Sequence, residues 1–394
     1  MARFPAYAPE LRLRINGDEL PAAVRSTVTS VRYQDGWNAA DRVEVGFANP
    51  DLRWLQKHIR GLGFQPFPTG VRIGPLRALD AAPEGTFDLA NSLELAIGYA
   101  PDPLEEVFTG DVTGVQVSFP NGGMPTLTLV AHDHLQRLSE GKASRGFGPL
   151  EDGLVAAILS AESLLIPQID PVIASASAAL TAINLVFDGS GIKQAGESNL
   201  QLLQRIAKKY DADFFVEGDV LHLSRFVKER EPRLTLTWGE SLLDFSPQVS
   251  TVGQVAGVAM RFTLREIPLS FLVTVSWDFD RESVGISIVP GDKASGGKAS
   301  GGPTLTLIDQ PISSPADLVA SALVIHRELR NKLNGRLTGS GSAIGDPRIR
   351  NGALVRLEGL GPDFSGDYRV KSASHSIDGG GYRTGFEVYK EILP

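Results

Sequence analysis

Cysteine is absent from the 394-residue chain, which excludes a disulfide framework, a thiolate metal site and a cysteine nucleophile. Long apolar runs are also missing, and none approaches the ~20 residues that a membrane-spanning helix needs. The N-terminal stretch MARFPAYAPELRLRING lacks the basic-then-apolar order of a signal peptide, so synthesis and folding in the cytoplasm are expected. Positive charge is short as well. A net charge of −8 argues against a nucleic-acid grip dominated by phosphates, and no direct nucleic-acid or membrane binding is expected.

Catalytic signatures are equally scarce. Six histidines are present, and only His132-Asp133-His134 forms a local cluster. A strand would put its two imidazoles on one face, but the spacing places no third or fourth ligand and there is no HExxH. Ser190 and Ser342 sit in glycine-rich text that does not match a nucleophile elbow. Gly359-Leu360-Gly361 lacks the third glycine of a dinucleotide loop, and Glu105-Glu106 would point to opposite faces of a strand. No catalytic, metal or cofactor site is read from this sequence, and no enzymatic activity is expected.

What the chain does contain is a β-unit used twice. The first copy, LELAIGYAPDPLEEVFTGDVTGVQVSFPNGGMPTLTLV, starts at Leu93; the second, LVRLEGLGPDFSGDYRVKSASHSIDGGGYRTGFEV, starts at Leu354. Each has an alternating apolar strand and a Pro-Asp corner at Asp102 or Asp363. Phe-[Thr/Ser]-Gly-Asp follows at Phe108, Gly110 and Asp111, or at Phe364, Gly366 and Asp367. A further strand leads to a glycine pair, Gly122-Gly123 or Gly379-Gly380, and then to a closing strand. Glycine pairs supply the positive φ of hairpin turns, and a glycine at a strand start suits a bulge or tight corner. Three matched features in one order point to duplication.

Elsewhere the text alternates between strand and helix signals. Leu11–Ile15, an Asn16-Gly17 turn, and the segments Val24–Tyr33 and Arg42–Phe47 read as a meander. Asp51–Ile59 reads as a short helix, and Gly61–Asn91, with four prolines, as a surface insertion. Asp152–Leu164 is a helix candidate, while Ser175–Asn184 fits helix or coil. Ser198 and Gln201 form a capping box for a helix presenting Leu200, Leu203, Ile206, Ala207 and Tyr210, followed by a hairpin turning at Glu217-Gly218-Asp219. Strand text covers Leu234–Trp238 and Val255–Asp280. The tandem KASGGKASGG within 291–303 reads as a mobile loop or a joint between domains. Ser314, Pro315 and Gly335 bracket a helix over 315–334, and Arg336–Gly345 reads as strand and turn.

These elements give a mainly β protein with α+β insertions: two related β-barrel domains and a central helix-and-hairpin region. The expected bounds are 1–140 for the first barrel with its insertion at 61–91, 141–232 for the centre, and 233–394 for the second barrel.

Three stretches, VFTGDVTGVQVSFPNGGMPTLTLVAHDHLQRL, ESNLQLLQRIAKKYDADFFVEGDVLHL and the final IRNGALVRLEGLGPDFSGDYRVKSASHSIDGGGYRTGFEVYK, resemble the phage late control protein D family. Those proteins are baseplate hubs of contractile tails, and similar hubs occur in contractile injection systems and in the front half of type VI secretion spike proteins. The resemblance implies a homotrimer whose paired barrels form a pseudo-six-fold ring joining a six-fold tail tube to a three-fold spike. It implies contacts with tube or tube-initiator proteins and other baseplate proteins, within a virion tail or injection particle. Because the chain stops at Pro394, right after the second unit, a separate spike protein is expected. The competing readings are a tail-associated cell-wall hydrolase and a carbohydrate-binding β-protein.

Overall fold

The computed structural model describes residues 8–36, 38–48, 86–187, 192–225, 231–250, 255–264, 270–278, 281, 283–290, 304–312 and 315–392. The expected helix at Asp51–Ile59, most of the insertion 61–91, the tract 291–303 and the Ser314 cap lie outside these residues.

The first strand set contains β1 (Ala8–Ile15), β2 (Asp18–Glu19), β3 (Val28–Gly36), β4 (Arg42–Ala48), β5 (Ser92–Ala100), β6 (Glu105–Ser118) and β7 (Thr126–Asp133). Asn16 and Gly17, at φ 54° and 81°, make the β1–β2 turn, as a two-residue hairpin requires. The stretch expected as strand from Val24 instead begins with a one-turn helix, Ala22–Arg25, which buries Val24 before β3 starts. Side by side the strands run β3-β4-β7-β6-β5-β1-β2, all antiparallel. Alternation sends Leu93, Leu95 and Ile97 into a core shared with Val43, Val45 and Leu129.

The centre follows directly. Asp133 caps a 3-10 helix, His134–Ser139, by accepting the Leu135 N–H. Then come β8 (Ala143–Gly146), β9 (Ile166–Ile169), β10 (Lys193–Glu197), β11 (Ala212–Glu217) and β12 (Val220–Arg225), with helices Asp152–Glu162, Pro171–Phe187 and Asn199–Lys209. The capping box forms: Ser198 Oγ accepts from Gln201 N–H at 3.2 Å, and Gln201 Oε1 accepts from Ser198 N–H at 2.9 Å. Leu202, Leu203, Ile206 and Ala207 form the helix's buried face, with Leu200 half-buried beside them. Helices and hairpin share one core.

The second strand set contains β13 (Leu234–Thr237), β14 (Leu242–Val249), β15 (Gly257–Leu264), β16 (Ser270–Asp278), β17 (Ser283–Pro290), β18 (Thr304–Ile312), β19 (Leu337–Ile344), β20 (Leu354–Glu358), β21 (Gly366–Asp378) and β22 (Gly381–Tyr389). Strands β15 to β18 form their own sheet, ordered β17-β16-β15-β18. Val258, Met260 and Phe262 of that sheet pack on Ile325, Leu329 and Leu333 of the helix Pro315–Asn334. The rest run β14-β19-β22-β21-β20-β13 around a third strand-lined core containing Val355, Leu357, Tyr368 and Val370.

Set against each other, the two orders match strand for strand: β3-β4-β7-β6-β5-β1 beside β14-β19-β22-β21-β20-β13. The repetition visible in three strands of sequence therefore extends to six positions. Only the last differs in direction, since β1 meets β5 antiparallel and β13 meets β20 parallel. Both β6 and β21 also carry a bulge at corresponding places, between Val112 and Gly114 and between Val370 and Ser372.

Candidate functional site at the junction of the two units

The two units meet through β21, whose length decides the architecture. Its first residues pair with β20, Leu354 opposite Arg369 and Leu357 opposite Gly366. Beyond the end of β20, the same edge takes β3, from Ser372 opposite Gly36 to Asp378 opposite Ser30. One continuous sheet results.

Side chains lock this pairing. Asp35, buried on β3, accepts the Ala373 N–H and the Asn351 N–H at 2.9 Å each, so one carboxylate from the first unit ties down two backbone donors of the second. Tyr33 donates to Asp41 at 2.8 Å and lies 18° from parallel with His375, ring centroids 5.5 Å apart. Arg350 reaches across to donate to the Tyr33 hydroxyl at 3.2 Å and the Val107 carbonyl at 3.0 Å, with Asp35 at 3.8 Å. His375 Nε2 faces the Ile349 carbonyl at 3.0 Å, which can only accept. Nε2 therefore carries the proton, and Nδ1 offers its one lone pair to the Tyr382 and Thr384 hydroxyls, which lie 2.8 and 3.0 Å away.

Two carboxyls just described, Asp35 and Asp41, share one guanidinium, and Asp133 joins them through Asp41, whose carbonyl accepts the Asp133 N–H at 3.1 Å. Burial pushes Asp35 up to about 6, against the opposing pull of the Asn351 N–H, Arg350 and the Ala373 N–H. Burial first, and the Asp35 charge second, push Asp41 to about 7. Asp133 is raised by burial and then by Asp41. Burial and then Arg350 bring His375 down to about 4. A cleft of about 460 Å³ opens beside these groups, walled by Phe108, Glu106, Phe215 and Arg233.

Of the repeat residues singled out in sequence, Phe108 alone reaches this junction, packing edge-on to Tyr33 with centroids 6.1 Å apart, while Asp133 and Glu106 from the other sequence candidates also line the cleft. Phe364 packs half-buried on the second unit's core. Gly110 lies opposite Leu93 and Gly366 opposite Leu357, but Gly110 stands two residues before the bulge of its strand and Gly366 four. The matched sequence motif is therefore offset by two residues in the strand pairing, and each glycine is needed for its own reason. A Cβ on Gly110 would lie 2.1 Å from the His132 carbonyl oxygen, whereas Gly366 has a φ of +139°. The neighbouring aspartates each hold an arginine: Asp111 accepts from Arg137 at 2.7 Å and Asp367 from Arg356 at 2.7 Å. Asp102 and Asp363 lie exposed at their corners. Gly122-Gly123 and Gly379-Gly380 lie at the hairpin ends, Gly122 with φ +71° and Gly380 donating to Asp378 at 2.7 Å.

The histidine cluster is dispersed by its neighbours. His132 contacts Thr113 at 2.6 Å, while His134 Nδ1 meets Asp219 at 2.8 Å, docking the central hairpin turn onto the first unit. Asn38 adds to that dock by donating to Asp213 at 2.9 Å and accepting the Phe214 N–H at 3.0 Å. Among the described residues, no group of three or more His, Asp or Glu is arranged to hold a metal ion, and no helix is long and apolar enough to cross a membrane.

No protein-family model matches the chain, and no curated protein sequence does. Solved structures do. A 43 kDa tail protein of prophage MuSo2 from Shewanella oneidensis superposes with a TM-score of 0.60 at 13% identity, covering 97% of this chain and 98% of that one. A tail protein from Neisseria meningitidis MC58 gives 0.59 at 12%, covering 98% and 97%. The E. coli c3393 protein, a type VI secretion component with structural similarity to the T4 tail proteins gp27 and gp5, gives 0.53 at 10%, covering 97% and 78%. Over nearly its whole length, this chain has a fold that two tail proteins, one of them from a prophage, and a type VI secretion component also have.

Proposed function

We propose that the chain is the structural hub of a contractile phage tail or phage-like injection particle. Residues 1–140 and 233–394 form its two ring-building units, and 141–232 lie between them on the outer or spike-facing side. Three copies make a ring of six similar units, so that a six-fold tail tube seats on one face and a three-fold spike protein joins the other. Other baseplate proteins surround the ring, and the role is architectural rather than catalytic.

The observation that carries this reading is the strand order repeated six positions deep within one chain. A chain with two copies of one unit supplies six near-equivalent positions per trimer, which is what a junction between six-fold and three-fold parts needs. The likeness of fold to tail proteins agrees with it. Light scattering on the purified protein tests it: the expected mass is that of three 42.2 kDa chains, with no turnover of peptidoglycan. A monomer at all concentrations, or cell-wall cleavage that disappears on changing one acidic residue, would contradict it.

A further inference from the structure

The junction inside the chain has an unfilled counterpart. On β21, the edge beyond β20 is taken by β3. On β6, strand β5 pairs only from Glu105 to Asp111, and the backbone of residues 90–91 extends this to Val112. Among the described residues no strand takes the same edge from Gly114 to Ser118. At the far end of the sheet, β14 stands where β3 stands in the first unit, and from Asp244 to Val249 it pairs only with β19. Among the described residues, two complementary edges are thus left without a strand partner, each the equivalent of one half of a junction the chain already makes.

The shared ladders fix the register. Ala131 pairs with both Val112 and Val43, and Val388 pairs with both Val370 and Gly339, with a bulge directly after Val112 and Val370. Carrying this alignment across the sheet makes Val115, Val117 and Phe119 equivalent to Ala373, His375 and Ile377. It likewise makes Phe245, Pro247 and Val249 equivalent to Val31, Tyr33 and Asp35. Inside the chain, Asp35 opposes Ala373, Tyr33 opposes His375 and Val31 opposes Ile377. Five of those six residues are buried, and the sixth, Ile377, packs half-buried on the first core.

Resting on the trimeric-ring reading, we propose that β14 of one copy pairs antiparallel with the second half of β6 of the next copy. Val249 then opposes Val115, Pro247 opposes Val117 and Phe245 opposes Phe119, and three such junctions close the ring. All six residues are apolar, yet Phe119 is 63% and Val249 56% exposed in the single chain, while Val115 and Val117 are half-buried over the first core. The other face would pair Gln248 with Gln116 and Ser246 with Ser118, polar as its intrachain counterpart is (Gln34 with Ser374, Arg32 with Ser376). A second copy is the fitting occupant because the interface continues one the chain already makes, by the same strand positions and with the same division into apolar and polar faces. Pro247 has no N–H, which leaves the new ladder one donor short.

The absence of cysteine makes the test direct. Val115→Cys and Val249→Cys are combined in one chain, oxidised and run without reductant, beside each single variant. The double variant is expected to give covalent dimers and trimers, and the single variants none. In parallel, Val249→Asp is expected to weaken trimer formation at least tenfold, with Val115→Lys in the same chain restoring it. A trimer by mass that neither cross-links nor responds to Val249→Asp would overturn this junction and leave the hub reading standing. A wild-type chain that stays monomeric would overturn both.

Discussion

Replacing Asp35 by alanine removes the one side chain that holds both Ala373 and Asn351 of the second unit. The geometry leaves two backbone donors without an acceptor, Ala373 at a buried place and Asn351 at a half-buried one. An unpaired buried donor costs about 1–3 kcal/mol, and Asn351 falls toward the lower end of that cost, so the junction is expected to lose about 2–4 kcal/mol. Arg350, whose side chain is 35% exposed, keeps Tyr33 and the Val107 carbonyl and adds little to that sum. At 1.4 kcal/mol per decade, local opening of β3 from β21 should become about thirty-fold to seven-hundred-fold more frequent. Hydrogen exchange read by mass spectrometry on peptides covering 30–36 and 372–378 measures this, with the helix Asn199–Lys209 as internal reference. Asp35→Asn, which keeps one acceptor, should give an intermediate value. Unchanged exchange in both peptides would refute the idea that Asp35 clasps the two units.

Three further outcomes follow from the same structure. Because burial raises Asp35 to about 6 and Asp41 to about 7 from an unfolded value of ~3.9, their contribution is fully present below that value. It is lost as pH rises through 6 to 7. His375, lowered to about 4, acts oppositely: its contribution is present above ~6.5 and lost as pH falls through 4. The stability gap between wild type and Asp35→Asn isolates the first effect and should shift in favour of the variant by up to about 3 kcal/mol between pH 4 and pH 7, read by urea unfolding. Gly110→Ala should lower the melting temperature more than Gly122→Ala, because the first drives a Cβ into the His132 carbonyl while the second meets open space at φ +71°; about 1–3 kcal/mol or more is expected against about 1. Ser198→Ala should cost about 1 kcal/mol and loosen only the helix it caps, visible as faster exchange at 199–209.

Much of this fold was legible in the sequence because its determinants are local. Alternation placed Leu93, Leu95 and Ile97 on a buried face, Asn16-Gly17 announced a hairpin, and Ser198 with Gln201 announced a helix start. The outer members of the repeat, β3 and β14, carry no sign of their equivalence in sequence, since VTSVRYQDG and LLDFSPQV share only apolar alternation. Nor does the sequence mark the sheet β17-β16-β15-β18 and its helix as a body with its own core, because parallel pairing of β15 with β18 joins strands nearly fifty residues apart. The junction was invisible for the same reason: Asp35 and Asn351 lie 316 positions apart in the chain. An aspartate before glycine reads as a turn residue, and the one signal that hinted otherwise was its setting between Tyr33 and Asp41 in a strand-rich stretch.

The central claim is that two matched units in one chain build a ring of six positions from three copies. Electron microscopy of the purified protein, classified end-on, measures it most directly. The account predicts closed rings with six lobes in two alternating kinds and three-fold symmetry. Isolated two-lobed particles, or rings of any other symmetry, would contradict it.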